Sequence, residues 1–255
     1  MSPDGELLAL ATEDPECKVV RTRDGSLVQA LPAHGNAVWG TAFAPSGRLL
    51  ATCSADSCCR VYERDSLSEN APWVMLYECT EPSQSHFDLE PCVNMCTFSP
   101  CGQYLATSRD DGSVHVYNAA TGLLRFFGMH HELCMCAAFS RDSTMVVSCG
   151  FDDQAIFWSV ETGVCLFALT LLEQPYTLGF SNCGRQLVVG GSSNNFTIYQ
   201  LPPALWPYAP AKANLLLLLL ALRRRPRTMP RLPPELYRYL FAAFVNVNNV
   251  ADIGA

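Results

Sequence analysis

The chain has 255 residues, 49% of them hydrophobic and 16% charged, a composition typical of a globular protein with a core sufficient for one or two domains. Its formal net charge of −7 is uneven, because residues 1–202 hold 10 Lys+Arg against 22 Asp+Glu (−12) and residues 203–255 hold 7 against 2 (+5). Nucleic-acid affinity comes largely from Lys and Arg contacts to phosphate, so the acidic part excludes such a surface and we expect no nucleic-acid partner.

A turn rich in Ser, Pro, Asp and Gly recurs five times. Each turn is followed by a short apolar strand, a second turn and another strand, which is the pattern of a β-hairpin. The recurring turns occupy residues 2–5, 44–47, 99–102, 140–143 and 181–184, so their first residues are 42, 55, 41 and 41 positions apart. A period near forty with about four short strands per unit is typical of β-propeller blades. The sequence therefore predicts an all-β propeller.

The strands of the five units are predicted in chain order from their apolar runs. Unit one has strands at 7–11, 18–21 and 27–31, and unit two at 38–43, 49–53, 59–63 and 73–77. Units three and four extend over 92–127 and 134–170, with last strands at 123–127 and 164–168, and unit five has strands at 177–180, 186–189 and 196–199. Only units two, three and four have four strands. We therefore expect an arc of about five blades, three of them complete, in a chain truncated at its N-terminus.

Several residue types recur at fixed distances from these turns. A phenylalanine precedes four of them: Phe43, Phe98, Phe139 and Phe180. Eighteen residues after each turn begins come Val20, Tyr62, Tyr117, Trp158 and Tyr199. Six residues before the first four of these comes an aspartate: Asp14, Asp56, Asp111 and Asp152. Two units also have a histidine ten residues before the turn: His34 and His130.

With these positions, residues 1–200 resemble the WD-repeat family, although its terminal Trp-Asp pair is replaced, for example by Trp158-Ser159. The resemblance implies a propeller that binds other proteins, in which His34 and His130 link the outer loop of a blade to its turn aspartate. We expect Asp56, Asp111 and Asp152 to accept hydrogen bonds from backbone amides of their own turns. This structural role is favoured over catalysis, because no other residues assemble a nucleophile, base and oxyanion site. We predict no enzyme, no catalytic residue and no cofactor.

The thirteen cysteines show no repeated Cys-x-x-Cys pair with histidine at zinc spacing. We therefore expect reduced thiols that pack as small apolar side chains, and no metal site. No signal-peptide pattern and no apolar run of about 20 residues is visible, so we expect a cytoplasmic protein without a membrane partner. The arginines at 223–225 leave nuclear import open.

The composition changes after residue 202. Residues 203–213 are interpreted as a proline-rich linker, 214–245 as a helical tail and 246–255 as a disordered end. The leucine run at 215–222 is too short to cross a bilayer, and Leu236, Tyr239 and Leu240 share one face of a second predicted helix.

The tail resembles a SOCS box. Five residues match the half that contacts cullin: Leu232, Pro233, Leu236, Tyr239 and Leu240. The half that contacts elongin is placed at Leu218 and Leu222, where leucine replaces the family's cysteine near position 218. The resemblance implies elongin and cullin partners and the role of a substrate receptor in a ubiquitin ligase. The alternative, a general scaffold whose tail helix packs on the propeller, stays open.

Overall fold

The computed structural model describes residues 1–65, 71–80, 91–181, 183–192 and 196–201. These residues form 18 β-strands in five antiparallel sheets, in each of which the strands follow one another in chain order. We number the sheets one to five along the chain. In the described part of the chain, no helix is long and apolar enough to cross a membrane.

Sheets two, three and four have four strands each, and sheets one and five have three. Sheet one contains β1 (Leu7–Leu10), β2 (Lys18–Arg21) and β3 (Leu27–Ala30). Sheet two contains β4 (Val38–Phe43), β5 (Leu49–Ser54), β6 (Cys59–Glu63) and β7 (Val74–Cys79). Sheet three contains β8 (Val93–Phe98), β9 (Tyr104–Arg109), β10 (Ser113–Asn118) and β11 (Leu124–Met129). Sheet four contains β12 (Cys134–Phe139), β13 (Met145–Gly150), β14 (Gln154–Ser159) and β15 (Cys165–Thr170). Sheet five contains β16 (Pro175–Phe180), β17 (Gln186–Gly191) and β18 (Phe196–Gln200).

The recurring turn explains why a hairpin forms at the same place in each unit. Between β8 and β9, the N–H of Gly102 donates to the Ser99 carbonyl at 2.8 Å, and the N–H of Tyr104 donates to Ser99 Oγ at 3.0 Å. Gly102 has φ of 74°, a left-handed conformation that glycine adopts without strain. Ser143 takes this position in sheet four with φ of 61°, at a cost of about 1 kcal/mol.

The core lies between consecutive sheets. Each of four buried clusters joins one sheet to the next: one to two, two to three, three to four and four to five. Leu50, Leu105, Val146 and Leu187 occupy equivalent positions in sheets two to five, and all four are fully buried. Burying a side chain of this size contributes about 1.5–3 kcal/mol, so the stacked sheets stabilise one another.

The all-β prediction and the repeated sheets are confirmed, and the predicted strand bounds agree with the observed ones within two residues. The last strands of sheets three and four begin one residue later than predicted. The Leu123 carbonyl accepts the N–H of Asn118 at 2.9 Å, and the Val164 carbonyl accepts the N–H of Ser159 at 2.9 Å. These bonds close the preceding turns, so Leu123 and Val164 belong to the turns.

The four phenylalanines before the turns have equivalent positions but unequal burial. Phe98 and Phe139 are buried, whereas Phe43 and Phe180 are only half-buried. Phe43 faces the three-stranded sheet one and Phe180 lies in the three-stranded sheet five, so both have less protein around them. The predicted linker and helical tail lie outside the described residues.

Candidate functional site

The first strands of sheets two to five lie side by side, and each has a β-bulge near its start. The register shifts lie between Val38 and Gly40 in β4 and at the equivalent places in β8, β12 and β16. The bulged residues, each five positions before its turn, are Trp39, Asn94, Met135 and Tyr176. A bulge bends its strand and re-aims a side chain, so the backbone presents one side chain per sheet along a common line.

These four side chains line a groove of about 470 Å³, which we call the inner-strand groove. Its other lining residues are Gly40, Thr41, Met95, Cys96 and Cys136. Trp39 is 55% exposed and Tyr176 is 51% exposed, although both are large and aromatic. None of the nine lining residues is charged. Because tyrosine, tryptophan and methionine are enriched in protein interfaces, this lining favours a protein ligand.

Two contacts hold the groove in shape. The Asn94 amide donates to Asp110 Oδ1 at 2.8 Å and to the Cys134 carbonyl at 2.9 Å. The Tyr176 ring packs edge-on against Phe151, with 5.7 Å between the ring centroids. Both groove residues are therefore anchored to a neighbouring loop or strand before any partner arrives.

Gly40 lies against a buried thiol of the neighbouring strand at the floor of the groove. A Cβ at this position would lie 3.0 Å from Cys53 Sγ in β5, so the sulfur would have to shift by a few tenths of an ångström. The backbone of β8 at Asn94 and Met95 would lie 3.9 Å away, in ordinary contact.

Sheet four contains a buried chain of hydrogen bonds between predicted repeat residues. His130 Nδ1 lies 2.9 Å from Asp152 Oδ1, and His130 Nε2 lies 2.8 Å from Ser148 Oγ. The Trp158 indole N–H donates to the same Ser148 Oγ at 2.8 Å. A carboxylate can only accept, so Nδ1 donates to Asp152, which leaves Nε2 to accept the serine proton. Asp152 Oδ2 also accepts the backbone N–H of His131 at 3.0 Å.

Sheet two repeats this arrangement. His34 Nδ1 lies 2.9 Å from Asp56 Oδ2, and His34 Nε2 lies 2.7 Å from Thr52 Oγ1. Asp56 accepts the N–H of Gly35 at 2.7 Å and, within its own turn, the N–H of Cys58 at 3.1 Å. Asp56 thus ties the loop before β4 to the turn between β5 and β6.

The pKa directions fit a neutral His34 and ionised Asp56 and Asp152. Burial lowers the pKa of His34 by more than the Asp56 charge raises it. Burial alone would raise the pKa of Asp56, but the Gly35 N–H and His34 hold that pKa below its ordinary value. Asp152 is held low in the same way, chiefly by its hydrogen bond from His130 against the effect of burial.

The order Ser148, His130, Asp152 is that of a hydrolytic triad, but the burial of Ser148 argues against that chemistry. Ser148 is fully buried, and its oxygen already accepts the Trp158 N–H. A nucleophile must reach a substrate carbonyl, which this hydroxyl cannot do. The arrangement is therefore structural: in sheets two and four it fastens the loop before the first strand to strands of the same sheet.

Among the described residues, two of the predicted repeat aspartates have no histidine partner of the kind seen in sheets two and four. Asp111 accepts the N–H of Ser113 at 3.0 Å within its own turn, whereas Asp14 is exposed. Thr107 holds the position of Thr52 in sheet three, but its Oγ1 is buried without a hydrogen-bond partner in the part of the chain that the structure describes. The predicted docking residues of the tail all lie outside the described residues: Leu218, Leu222, Leu232, Pro233, Leu236, Tyr239 and Leu240.

The sequence analysis did not predict the hydroxyl residues that accompany the histidines in the two chains of hydrogen bonds, and it did not predict the inner-strand groove. Thr52 and Ser148 each lie eight residues after the first residue of their turn, and this shared spacing is a signal that could have found them. The groove residues share the spacing of five residues before the turn. Their residue types differ between units, so only the register shows that they form one set.

The thirteen cysteines are all unbonded thiols. Cys53, Cys59 and Cys96 pack together in the buried cluster between sheets two and three. The hydrogen bond with Cys96, followed by burial, raises the pKa of Cys59, and the hydrogen bond with Cys53, together with burial, raises the pKa of Cys96. Among the described residues, no group of three or more His, Cys, Asp or Glu side chains could hold a metal ion.

Comparison with known proteins finds three stretches that are similar to WD40 repeats. Residues 25–63, 80–118 and 122–159 match the sequence model of the WD40 family, described as WD domain, G-beta repeat. The chain is 36% identical over 135 residues to WD repeat, SAM and U-box domain-containing protein 1 of Danio rerio, a match covering 52% of this chain and 25% of that protein. It is 23% identical over 183 residues to human Striatin-4, covering 56% and 24% of the two chains.

A third relative is the probable cytosolic iron-sulfur protein assembly protein CIAO1 homolog of Caenorhabditis elegans, 31% identical over 125 residues, or 48% of this chain and 35% of that protein. The matches to the zebrafish and human proteins span about a quarter of the length of each relative. The sheets and the histidine–aspartate pairs agree with these matches, and residues 25–63, 80–118 and 122–159 are similar to WD40 repeats.

Proposed function

We propose that this chain is a non-catalytic protein-interaction module that holds a partner protein in the inner-strand groove. The observation that carries the proposal is the exposure of Trp39 and Tyr176, more than half of each side chain, in a groove without charged residues. Proteins with WD repeats are generally interaction scaffolds, and buried aromatic anchors supply most of the binding energy at interfaces.

The groove favours a partner segment with apolar side chains. Trp39, Met135 and Tyr176 offer apolar and thioether surface, and methionine adapts to different shapes. Both N–H groups of the Asn94 amide are engaged, so its carbonyl oxygen is the atom left to accept a partner's backbone N–H. A few placed polar groups in an otherwise apolar lining fix the orientation of a bound ligand.

The test compares affinity purification with the intact chain, a Trp39→Ala/Tyr176→Ala variant and a Leu123→Ala control. Leu123 is 69% exposed in the turn before β11, at the opposite edge of sheet three. We expect at least one protein retained by the intact chain and the control to be lost with the groove variant, at a cost of about 2 kcal/mol or more in binding free energy. Retention of the same proteins by all three would contradict the proposal.

A second candidate function adds a ligase role: the chain presents the groove-bound partner to an elongin–cullin ubiquitin ligase. Its support is the residue pattern of the tail, with Leu232, Pro233 and Leu236 followed by Tyr239 and Leu240. The contrasting possibility is a scaffold without a ligase role.

Co-purification separates these two functions. The intact chain should retain elongin and cullin, and Leu236→Ala/Leu240→Ala should lose the cullin, while the groove variant should keep both. If elongin and cullin never co-purify with the intact chain under conditions that capture a known receptor, the ligase role fails and the groove proposal is unaffected.

A further inference from the structure

Two buried thiols are in contact at the floor of the inner-strand groove. Cys136 Sγ in β12 lies 3.2 Å from Cys149 Sγ in β13. The two residues are cross-strand partners in the antiparallel register of sheet four, and both are free thiols. Cys136 is one of the residues that line the groove, whereas Cys149 is fully buried and is not among them. A small solute that enters the groove therefore meets Cys136 first.

The β-bulge of each first strand determines which residues face each other at this level. In sheets two to five, the residue after the bulged one is paired with a residue of the second strand: Gly40 with Cys53, Met95 with Ser108, Cys136 with Cys149, and Thr177 with Gly190. A Cβ on Gly40 would lie 3.0 Å from Cys53 Sγ, and a Cβ on Gly190 would lie 2.9 Å from Thr177 Cγ2. The backbone thus leaves little room between partners at this level, so it holds the two sulfurs of sheet four together.

The same geometry suits a disulfide bond. Cross-strand partners in an antiparallel sheet have Cα atoms about 4.5–5.5 Å apart, and a disulfide joins Cα atoms about 4.4–6.8 Å apart. The strands already have the required spacing, so only the two sulfurs have to approach. Cys134, a third thiol of the same sheet, lacks this arrangement, because its Sγ lies 3.5 Å from the Cys149 carbonyl oxygen and its register partner is Gly150.

We propose that Cys136 and Cys149 are a redox-active pair, which hydrogen peroxide converts to a disulfide and a dithiol reductant restores. Cys136, as a thiolate, attacks one peroxide oxygen, the O–O bond breaks, and the hydroxide that leaves takes up the thiol proton as water. Cys149 then attacks the sulfur of the resulting sulfenic acid, the S–O bond breaks, and the departing hydroxyl leaves with the Cys149 proton as a second water. Two thiols and one peroxide give one disulfide and two waters, so the two electrons lost by the sulfurs reduce the peroxide.

The contact also sets the order in which the two sulfurs react. The hydrogen bond with Cys136, followed by burial, raises the pKa of Cys149, so Cys149 keeps its proton and donates its S–H to Cys136. Cys136 is therefore the sulfur that attacks peroxide, and it is also the one that lines the groove. The disulfide carries no charge, which suits the buried apolar cluster around both residues. Formation of this bond requires no partner in the groove.

The test maps disulfides in the full chain. The reduced protein is treated with hydrogen peroxide under native conditions, its remaining thiols are alkylated in urea, and linked peptides are identified by mass spectrometry without reduction. We expect Cys136 to be linked to Cys149 in most molecules, and the link to be lost after treatment with dithiothreitol. When the peroxide treatment itself is done in urea, this link should fall to the level of other cysteine pairs, because the fold no longer holds the two sulfurs together.

Three variants separate the roles of the sulfurs. Cys149→Ala removes the second sulfur, so peroxide should leave Cys136 as a sulfenic acid that dimedone labels. Cys136→Ala should leave Cys149 unlabelled under the same conditions. Cys134→Ala is the matched control, because Cys134 is a buried thiol of the same strand, and the link should persist in it. Urea denaturation verifies the fold of each variant, and the mapping of the unchanged chain does not depend on them.

Two results of the mapping would overturn the proposal. One is a folded, unchanged chain without this link after a treatment that oxidises the exposed thiols of Cys101 and Cys183. The other is an equal amount of the link in the folded and the urea-treated chain, because the fold would then not hold the pair together. Dimedone labelling of Cys149 in Cys136→Ala, without labelling of Cys136 in Cys149→Ala, would overturn the order of attack.

Discussion

Sheets three and four have the same four-stranded architecture but different buried polar groups. Sheet four has the chain from Trp158 through Ser148 and His130 to Asp152. In sheet three, Thr107 holds the position of Ser148, and its hydroxyl finds no partner among the described residues. Both sheets nevertheless form all four strands.

The difference separates two kinds of stabilisation. Turn residues and apolar positions are common to both sheets, so they account for the strands themselves. Of these two sheets, only sheet four has the chain of hydrogen bonds among its described residues, and there it fastens the loop before β12 to β13 and β14. The predictions below test whether these bonds add stability, by removing their residues and by altering sheet three, which has no such bonds among the described residues.

The largest effect is expected for His130→Ala. The substitution removes the histidine partner of Ser148, which is fully buried, and of the Asp152 side chain, which is 6% exposed. Each buried hydrogen bond lost in this way costs about 1–3 kcal/mol. We expect the free energy of unfolding, measured by urea denaturation, to fall by about 3 kcal/mol. The matched control is His131→Ala, since His131 is exposed and only its backbone N–H is used. Equal losses in the two variants would mean that the hydrogen bonds of His130 contribute nothing to stability.

A pH effect of similar size is expected from His115 in sheet three. Burial, followed by the charge of Arg109, lowers the pKa of His115 from 6.5 to about 4. The unfolded chain therefore binds a proton at a higher pH than the folded protein does. The stabilisation that a neutral His115 provides is fully present above the unfolded-state pKa of 6.5. It is lost as the pH decreases from there towards the folded-state pKa of about 4. The expected loss is about 3 kcal/mol at pH 4.

The substitution His115→Ile isolates this group, because Ile156 is the residue at the equivalent position of sheet four. Urea denaturation of both proteins between about pH 7 and pH 4.5 should show a decline in the unchanged chain that is clearly shallower in the variant. That window lies above 3.8, the ordinary pKa from which those of Asp56 and Asp152 are lowered, so their protonation contributes little to it. Parallel curves for the two proteins would rule out His115 as the source.

The sequence predicts the strands well because turn chemistry is local: Gly102 and its equivalents set each hairpin by their own backbone preference. The pairing of His34 with Asp56 also follows from a repeated spacing. By contrast, nothing in the residue types of Trp39 and Tyr176 indicates a groove. Their exposure depends on a bulge that shifts the register and on the neighbouring sheets, and neither is visible in a local pattern.

A smaller effect is expected for Thr52→Val in sheet two. Valine keeps the shape of threonine but removes the hydroxyl that donates to His34 Nε2 at 2.7 Å, so the buried ring nitrogen loses its partner. We expect the free energy of unfolding to fall by about 1–2 kcal/mol in urea denaturation. The same substitution at Thr107 is the control, and a loss below about 0.5 kcal/mol at Thr52 would contradict the hydrogen-bonded role.

The smallest effect, with the opposite sign, is expected for Thr107→Val. The hydroxyl of Thr107 is buried without a partner among the described residues, so it has lost its hydration without gaining a hydrogen bond. Replacing it with a methyl group removes that desolvation penalty and keeps the shape of the side chain, so stability should be unchanged or rise by up to about 1 kcal/mol. Urea denaturation of Thr52→Val and Thr107→Val under one set of conditions compares equivalent positions in two sheets of the same molecule. If Thr107→Val lost as much stability as Thr52→Val, sheet three would have a polar partner for this hydroxyl and the difference between the sheets would disappear.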